Sequence, residues 1–230
     1  MKTTLIIQAR MGSTRLPGKS LMMINSKFLI DFVLNRCLQV SGVDSIYLAT
    51  TFLNEDDVLV DYVKKNYDVD VYRGDPINVR SRFSEIAKKE KADYIIRITG
   101  DDPFKDPLQI NDALNYLILK KLDYVCNFEP RCLPVGMDVE VFSKESFDTS
   151  IRNFNSLCDL EHVTWSMRSP KFNWESINNL VFRPDTRLTI DHQKDIEYCS
   201  IIDKMLNTFD SDLSWESTKK AILLNEKSEN

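Results

Sequence analysis

The first twenty residues constrain this chain most, because a short apolar run there leads directly into a basic loop. The run Leu5-Ile6-Ile7 is typical of a strand that is buried on both faces of a parallel sheet. The loop at 8–20 holds two glycines and three cations but no acidic residue. Glycine lets a backbone approach a ligand closely, and arginine and lysine neutralise phosphate charge. We therefore predict a polyphosphate-binding loop; the alternative is a surface loop with solvated cations.

The same loop nearly matches the Walker A motif of P-loop NTPases, G-x-x-x-x-G-K-[ST]. Five residues rather than four separate Gly12 from Gly18, so the loop is one residue too long. Pro17 also removes a backbone donor where the motif needs a tight run of N–H groups. A P-loop NTPase is therefore the weaker interpretation.

The charge balance of the chain limits what its main partner can be. Its 230 residues include 30 Lys or Arg and 35 Asp or Glu, which gives a net charge of −5. This balance argues against a nucleic-acid polymer or an anionic membrane as the main partner. No apolar run approaches the roughly 20 residues of a membrane span, and the apolar stretch before Arg10 is too short for a signal-peptide core. We expect a cytoplasmic protein.

The cysteines and histidines indicate which metal ions the chain can hold. Five cysteines are scattered without a C-x-x-C pair, which is typical of free thiols in a reducing compartment. Only two histidines are present, His162 and His192, so a histidine-rich metal site is excluded. Carboxylates must then supply most of the ligands of any metal ion, which favours Mg²⁺ or Mn²⁺ over Zn²⁺.

Strand-like and helix-like segments alternate along the chain, which indicates βαβ units in an α/β fold with a mostly parallel sheet flanked by helices. No linker, repeat or low-complexity tract interrupts 1–220, so we predict one domain there and a polar tail at 221–230 that frays from Asn225. After the first strand, we predict strands at 45–50, 69–72, 94–98, 123–126, 139–142 and 187–190, and helices at 28–38, 58–63, 79–87, 108–119, 157–167 and 195–206.

Most of the few glycines stand beside predicted strands. Only six of the 230 residues are glycine, which is well below the average glycine content of about 7%. Gly74 follows the third strand, Gly100 follows the fourth, and Gly136 precedes the strand at 139–142. Because ligands of open α/β sheets bind beyond the carboxyl ends of the strands, these positions indicate a ligand site. The alternative is that some of them only form turns.

Carboxylates stand at the same places. Asp101 and Asp102 directly follow the fourth strand, and Asp191 follows the strand at 187–190. Asp138 and Glu140 are two residues apart, so their side chains share one face of a strand. Aspartates at strand ends beside a phosphate loop suit Mg²⁺, which takes one or two carboxylates together with phosphate oxygens. The alternative for Asp191 is the N-cap of the following helix.

Together these segments resemble the spore coat polysaccharide biosynthesis protein F family, which is akin to the cytidylyltransferases for acylneuraminate and 3-deoxy-manno-octulosonate. The resemblance runs in collinear order over nearly the whole chain. It is carried by residues 7–19, 73–74, 97–101, 137–143, 161–164 and 187–191.

The resemblance implies a Rossmann-like nucleotidyltransferase that uses CTP and Mg²⁺ to make a CMP-activated product for surface polysaccharide, with release of pyrophosphate. It implies catalytic roles for Arg10, Lys19, Asp101 and Asp191, and metal binding by the two aspartates. The implied nucleotide-binding residues are Gln8, Ala9, Arg10, Gly12, Ser13, Arg15, Lys19, Gly100 and, near the base, Arg73. The implied acceptor-binding residues are Asp102, Asp138, Glu140 and His162.

Two departures from the family pattern leave the acceptor open. Asp102 stands where the family often has cysteine in Gly-Asp-Cys-Pro. After Asp191, the segment His192-Gln193-Lys194 stands where the family often has Thr-Pro-Glu, so the start of the next helix is less well defined. Two other functions remain: a glycosyltransferase with a nucleotide-sugar donor, and a non-catalytic nucleotide-binding module. The basic loop disfavours the first, and the two aspartates disfavour the second.

The segment 127–179 interrupts the βα alternation and is rich in large apolar side chains. We predict that it forms a substrate lid and the interface of a homodimer, because an exposed apolar patch usually marks an interface and the related cytidylyltransferases are dimers. The alternative is that these side chains cap the core of the monomer. The side chains concerned are Phe154, Leu157, Trp165, Phe172 and Trp174.

Overall fold

A seven-stranded and mostly parallel sheet organises the chain, as the alternation predicts. The structure, a computed structural model, describes residues 1–177, 181–183, 185–208 and 212–228. The strands of this sheet are β1 (Thr3–Gln8), β4 (Ser45–Thr51), β5 (Asp70–Gly74), β6 (Tyr94–Thr99), β7 (Tyr124–Cys126), β8 (Glu140–Ser143) and β9 (Trp174–Ser176). Their order is β5-β4-β1-β6-β8-β7-β9, and β8 runs antiparallel to both of its neighbours. A separate short hairpin joins β2 (Met23–Ile24) to β3 (Lys27–Phe28).

Helices cover both faces of this sheet, because the central strands are apolar on both sides. Leu5 and Ile7 of β1 point to one face, where they join the core formed by α1, α2 and α4, and Ile6 points to the other, with α3 and α5. The predicted two-sided burial of the first strand is therefore confirmed. The helices are α1 (Leu29–Cys37), α2 (Asp57–Asn66), α3 (Val79–Glu90), α4 (Pro107–Lys120), α5 (Lys144–Asn153), α6 (Leu157–His162), α7 (Gln193–Leu206) and α8 (Trp215–Ser228).

The carboxyl-terminal residues form a helix where the sequence predicts a frayed tail. Helix α8 continues to Ser228, and Ala221 and Ile222 are fully buried in a third core cluster with α7. Asn225 is itself only 5% exposed. The prediction of a tail from 221 is therefore wrong for the described residues up to 228, because the helix buries an apolar stripe that its polar composition hides. Residues 229–230 lie outside the described residues.

The predicted strand at 187–190 is also wrong. Arg187 makes one isolated bridge to Val135, and the residues that follow are irregular, although Leu188 and Ile190 are fully buried. The apolar alternation there reflects burial in the third cluster rather than a place in the sheet. The predicted helix at 157–167 is broken into α6 and a short 3₁₀ turn at Trp165–Arg168.

The segment 127–179 contributes to the main domain more than its irregular sequence suggests. It supplies β8, α5, α6 and β9, and two of these strands extend the main sheet. Its last two residues lie outside the described residues. Within the described chain, no helix is both long and apolar enough to cross a bilayer.

Candidate active site

The carboxyl ends of β1 and β6 lie side by side and form the floor of a cleft. Gln8 is level with Thr99, and the Gly100 amide donates to the Gln8 carbonyl at 2.9 Å. A Cβ added to Gly100 would lie 2.6 Å from the Ala9 Cβ and 3.0 Å from the Gln8 carbonyl oxygen. Glycine is therefore required where these two segments meet. The cleft above them has a volume of about 390 Å³.

The basic loop after β1 forms one wall of this cleft. The Met11 carbonyl accepts from the amides of both Ser13 and Gly18, each at 2.8 Å, and Gly18 has a left-handed φ of 76°. The Met11 amide donates to the Asp56 carboxylate at 2.6 Å, which ties the loop to the residues after β4. These bonds hold the loop against the cleft. Its residues that line the cleft are Arg10, Ser13, Thr14, Arg15, Lys19 and Ser20.

Lys19 joins the two predicted metal ligands. Its ammonium donates to Asp101 at 2.8 Å and to Asp191 at 3.2 Å, and also to the Ile190 carbonyl at 2.8 Å. Asp101 and Asp191, which lie 82 and 172 positions after Lys19 in the sequence, thus meet at one nitrogen atom. The structure therefore brings both aspartates to Lys19 of the basic loop.

Asp191 is buried beside the cleft, where it pairs with Lys19, and is not itself among the residues that line the cleft. Arg15 approaches it at 2.9 Å and Arg187 at 3.1 Å, in addition to Lys19. Burial alone would raise the pKa of Asp191, but Lys19 and Arg15 outweigh that effect and hold the pKa below its ordinary value. Asp191 is therefore an anion at neutral pH, and three cationic side chains already pair with it.

Asp191 is not the cap of the helix that follows it. His192 is the N-cap of α7, and the Asp195 carboxylate accepts from the Asp191 and His192 amides, each at 2.9 Å. Asp195 thus caps the start of α7, although the proline that the family often has there is absent. The Asp191 side chain takes no part in this cap and pairs with Lys19 instead.

The donor set fits Mg²⁺. Two carboxylates converge on one position that a cation already occupies, namely the Lys19 ammonium, and Mg²⁺ commonly takes one or two carboxylates with phosphate oxygens and water. Among the described residues, no group of three or more His, Cys, Asp or Glu side chains gathers as a closed metal cage. Asp101 and Asp191 would therefore hold a metal ion that brings other ligands with it.

A second, smaller cavity of about 160 Å³ adjoins the cleft and shares Arg97, Thr99 and His162 with it. Asp138 and Glu140 both line it, as the two-residue spacing predicts. The rest of its lining is Lys105, Phe128, Thr164, Trp165 and Arg168.

Glu140 is the centre of a buried polar network in this second cavity. It is 5% exposed, pairs with Arg97, and accepts from the hydroxyls of Tyr124 at 2.8 Å and of Thr164. Arg97 in turn donates from Nε to the Gln8 side chain at 3.1 Å. The network joins the wall of the second cavity to the floor of the cleft.

Asp102 lies behind the wall of the second cavity and is not among its lining residues. It accepts from the Thr99 hydroxyl and pairs with the Lys105 ammonium at 2.8 Å, and the same ammonium donates to the Asp138 carbonyl. Burial, only partly offset by Lys105, raises the pKa of Asp102. The predicted acceptor residue Asp102 thus does not itself line the cavity, but it holds Lys105, which does.

Arg73 and Gly12, two predicted nucleotide contacts, do not line the cleft. Arg73 donates to the Thr51 and Leu53 carbonyls at 2.9 and 2.8 Å and pairs with Asp57 at 2.6 Å, so it fixes the loop after β4. A Cβ on Gly12 would lie 2.2 Å from Glu55 Oε1. Arg73 and Gly12 thus contact the residues that follow β4 and do not face the cleft.

Several lining residues escape the sequence analysis. Arg97 had a usable signal, because it is a charged residue inside the apolar strand 94–98. Arg82 had none, since a cation on an amphipathic helix is usually solvated. The residues that line the cleft or second cavity without having been singled out are Thr14, Ser20, Val79, Arg82, Arg97, Thr99, Lys105, Phe128, Glu161, Thr164 and Arg168.

Comparisons with known sequences point to one family. The sequence model of the cytidylyltransferase family matches residues 4–227, nearly the whole chain. The spore coat polysaccharide biosynthesis protein SpsF of Bacillus subtilis is 33% identical over 213 residues, which cover 84% of this chain and 82% of that protein.

Comparisons with solved structures agree. A cytidylyltransferase from Leptospira borgpetersenii serovar Hardjo-bovis superposes with a TM-score of 0.89 at 28% identity, over 99% of this chain and 95% of that one. A CMP:2-keto-3-deoxy-manno-octonic acid synthetase complexed with CTP gives a TM-score of 0.69 at 20% identity, over 89% and 99%. The predicted Rossmann-like nucleotidyltransferase fold is therefore confirmed.

Proposed function

The chain belongs to the cytidylyltransferase family, and we propose that it transfers CMP from CTP to a sugar acid, with Mg²⁺ as its metal ion and pyrophosphate as the second product. The observation that carries this proposal is that Lys19, which lines the cleft with Asp101, Arg10 and Arg15, pairs with both Asp101 and Asp191. A triphosphate needs several cations, and a metal ion at its α-phosphate needs carboxylates. The cations and the carboxylates occur together at this point.

The two connected cavities suit two substrates. The cleft beside the basic loop would take CTP, and the second cavity would take the acceptor, with Arg97, Thr99 and His162 at the junction. The acceptor oxygen would then attack the α-phosphorus in line with the departing pyrophosphate. Binding both substrates across one junction supplies the proximity on which such a transfer depends.

The side chains of the cleft would act mainly through charge. Arg10, Arg15 and Lys19 would stabilise the negative charge that moves onto pyrophosphate as its bond to the α-phosphorus breaks. Bound Mg²⁺ would polarise the transferring phosphoryl group. Because Lys19 contacts both aspartates in the free chain, its ammonium must turn from the carboxylates to phosphate oxygens when the metal nucleotide binds.

The lining of the second cavity supports an acidic sugar as acceptor. Lys105, Arg97 and Arg168 can offer positive charge to a carboxylate, while Asp138 can accept from sugar hydroxyls. The aromatic rings of Phe128 and Trp165 offer apolar faces to a sugar ring. The synthetase with the shared fold is named for a sugar acid, 2-keto-3-deoxy-manno-octonic acid, and SpsF is named for polysaccharide biosynthesis. We propose the same acceptor class here, in a cytoplasmic step of surface polysaccharide assembly.

Binding of CTP is the first test. With Mg²⁺ present, CTP at about 100 times its Kd should stabilise the fold by ~2.7 kcal/mol, which corresponds to a rise in Tm of roughly 5–10 °C for a chain of this size. ATP and UTP at equal concentration should give smaller shifts. A larger shift with either of them would overturn the assignment to CTP. Pyrophosphate release from CTP against a panel of acidic sugars and sugar phosphates then identifies the acceptor.

We also propose a homodimer, whose interface involves fewer of the apolar side chains of 127–179 than the sequence analysis predicts. Phe172 is buried, and Phe154 and Trp174 pack against the chain's own core. Leu157 and Trp165 remain 80% and 51% exposed on neighbouring elements. The alternative that this segment caps the monomer's core therefore holds for three of the five side chains, and the remaining two support an interface.

Light scattering tests the dimer. The chain has a mass of 26.7 kDa, and we expect a species of twice that mass at micromolar concentration. Leu157→Glu should return it to the mass of one chain, because a charge would be buried in an apolar contact. Leu119→Glu is the matched control: Leu119 is 78% exposed on α4, across the sheet from α6. A wild-type mass near 27 kDa would refute the dimer.

A further inference from the structure

Arg82 of α3 is a buried cation on the wall of the nucleotide cleft, and the cytidylyl-transfer chemistry described above gives it no role. It is 2% exposed and lines the cleft with Val79. Its stem passes over Gly74, where an added Cβ would lie 2.8 Å from Arg82 Cγ. The glycine after β5 therefore makes room for the Arg82 side chain to reach the cleft.

The donors of Arg82 are largely unused. A guanidinium carries five N–H donors. Within the described part of the chain, Arg82 makes one hydrogen bond, from Nη1 to the Ala49 carbonyl at 3.2 Å. Nε is buried without a partner among the described residues. Burial, reinforced by repulsion from Arg10, lowers the pKa of Arg82 to about 10, so it is still charged at neutral pH. A buried cation with unmatched donors is costly unless a ligand supplies the acceptors.

The position of Arg82 relative to the strands of the sheet indicates which part of a nucleotide it would contact. The basic loop and the two aspartates occupy the middle of the cleft, above β1 and β6. The second cavity lies on the side of β8, at Glu140. Arg82 lies on the opposite side, because its partner Ala49 belongs to β4 and Gly74 ends β5. If the triphosphate occupies the middle and the acceptor one end, the base occupies the end with Arg82.

We propose that Arg82 reads the cytosine base of CTP by donating to its O2 and N3 atoms. In cytosine both atoms are acceptors, so two guanidinium N–H groups can be matched at once. In uracil N3 carries a hydrogen and would face a donor, so UTP leaves a buried donor unpaired. A site built on such hydrogen bonds rejects the wrong ligand strongly. This inference rests on the proposed use of CTP. It assigns recognition of the base to Arg82 instead of the predicted Arg73.

The test compares Arg82→Met with wild type, and uses Arg80→Met as the matched control. Arg80 lies on the same helix and is 4% exposed, but it donates to the Phe154 carbonyl and the Asn155 side chain, away from the cleft lining. Calorimetry measures the Kd of CTP, UTP and inorganic tripolyphosphate with Mg²⁺. In Arg82→Met, CTP should bind about 10- to 100-fold more weakly, and the preference for CTP over UTP should largely disappear. Tripolyphosphate should bind as in wild type, and Arg80→Met should keep the CTP preference.

Each other outcome overturns the inference in a recognisable way. An equal loss for CTP, UTP and tripolyphosphate would make Arg82 a phosphate ligand. An unchanged preference for CTP over UTP in Arg82→Met would place base reading elsewhere while the proposed function stands. Wild type that does not bind CTP would overturn the proposed function, and this inference with it.

A second measurement needs no variant and applies even if Arg82→Met does not fold. The triphosphate of 3-deazacytidine has C–H in place of N3, so it keeps the shape of CTP and loses one acceptor. Wild type should bind it about 10-fold more weakly than CTP, because one charge-assisted hydrogen bond is lost. Equal affinity for the two nucleotides would show that no donor reads N3, and the inference would fail.

Discussion

Asp191→Asn is expected to lower kcat for CMP transfer by about 10²- to 10³-fold, which is ~3–4 kcal/mol of transition-state stabilisation. The Asp191 carboxylate faces the Lys19 ammonium at the point where the transferring phosphate would lie. The asparagine side chain has nearly the same shape but no charge, so it cannot hold a divalent cation well. CTP affinity should fall much less than kcat, because Arg10 and the rest of the basic loop remain.

Two further measurements make this result interpretable. Mn²⁺ bound in the presence of CTP, measured by electron paramagnetic resonance, should fall in Asp191→Asn and in Asp101→Asn. Asp57→Asn is the control, since Asp57 also pairs with an arginine, Arg73, but outside the cleft. Its kcat and Mn²⁺ binding should match wild type. A near-normal kcat in either cleft variant would remove that aspartate from the metal site.

Glu140→Ala is expected to lower the free energy of unfolding by about 3–5 kcal/mol. Glu140 is 5% exposed, and its removal leaves the half-buried Arg97 without its carboxylate partner. The Tyr124 and Thr164 hydroxyls lose their acceptor at the same time. Because a domain of this kind has only about 5–15 kcal/mol of stability in total, the variant should unfold at a clearly lower urea concentration.

Two variants separate the buried network from a general effect of losing a glutamate. Glu140→Gln keeps the size and an acceptor oxygen, so it should lose less stability than Glu140→Ala. Glu216→Ala removes a glutamate that is 68% exposed and pairs with Lys219 at 3.5 Å, and it should change stability by less than about 1 kcal/mol. If Glu140→Ala were no more destabilising than Glu216→Ala, the network around Arg97 would not be structural.

The contrast between Arg73 and Arg82 shows how far motif matching reaches. The resemblance includes Arg73-Gly74, and neither residue lines the cleft in the structure. Gly74 admits the Arg82 side chain, while Arg73 turns away to the Thr51 and Leu53 carbonyls. A sequence motif marks where the backbone must take a particular path. It does not tell which side chain then uses the space.

The sequence by itself determined the α/β fold, the first buried strand and the basic loop, because these follow from local composition and from a hydrophobic period that neighbouring residues share. It also named Asp101 and Asp191, since polar residues at the ends of apolar runs are visible without a structure, although only Asp101 follows a strand of the sheet. Only the tertiary structure decided that Lys19 joins Asp101 to Asp191, that Asp102 holds Lys105, and that residues 221–228 belong to a helix. These features depend on contacts between segments far apart in the chain, and the free energy of such contacts comes from burial and pairing that no local pattern records.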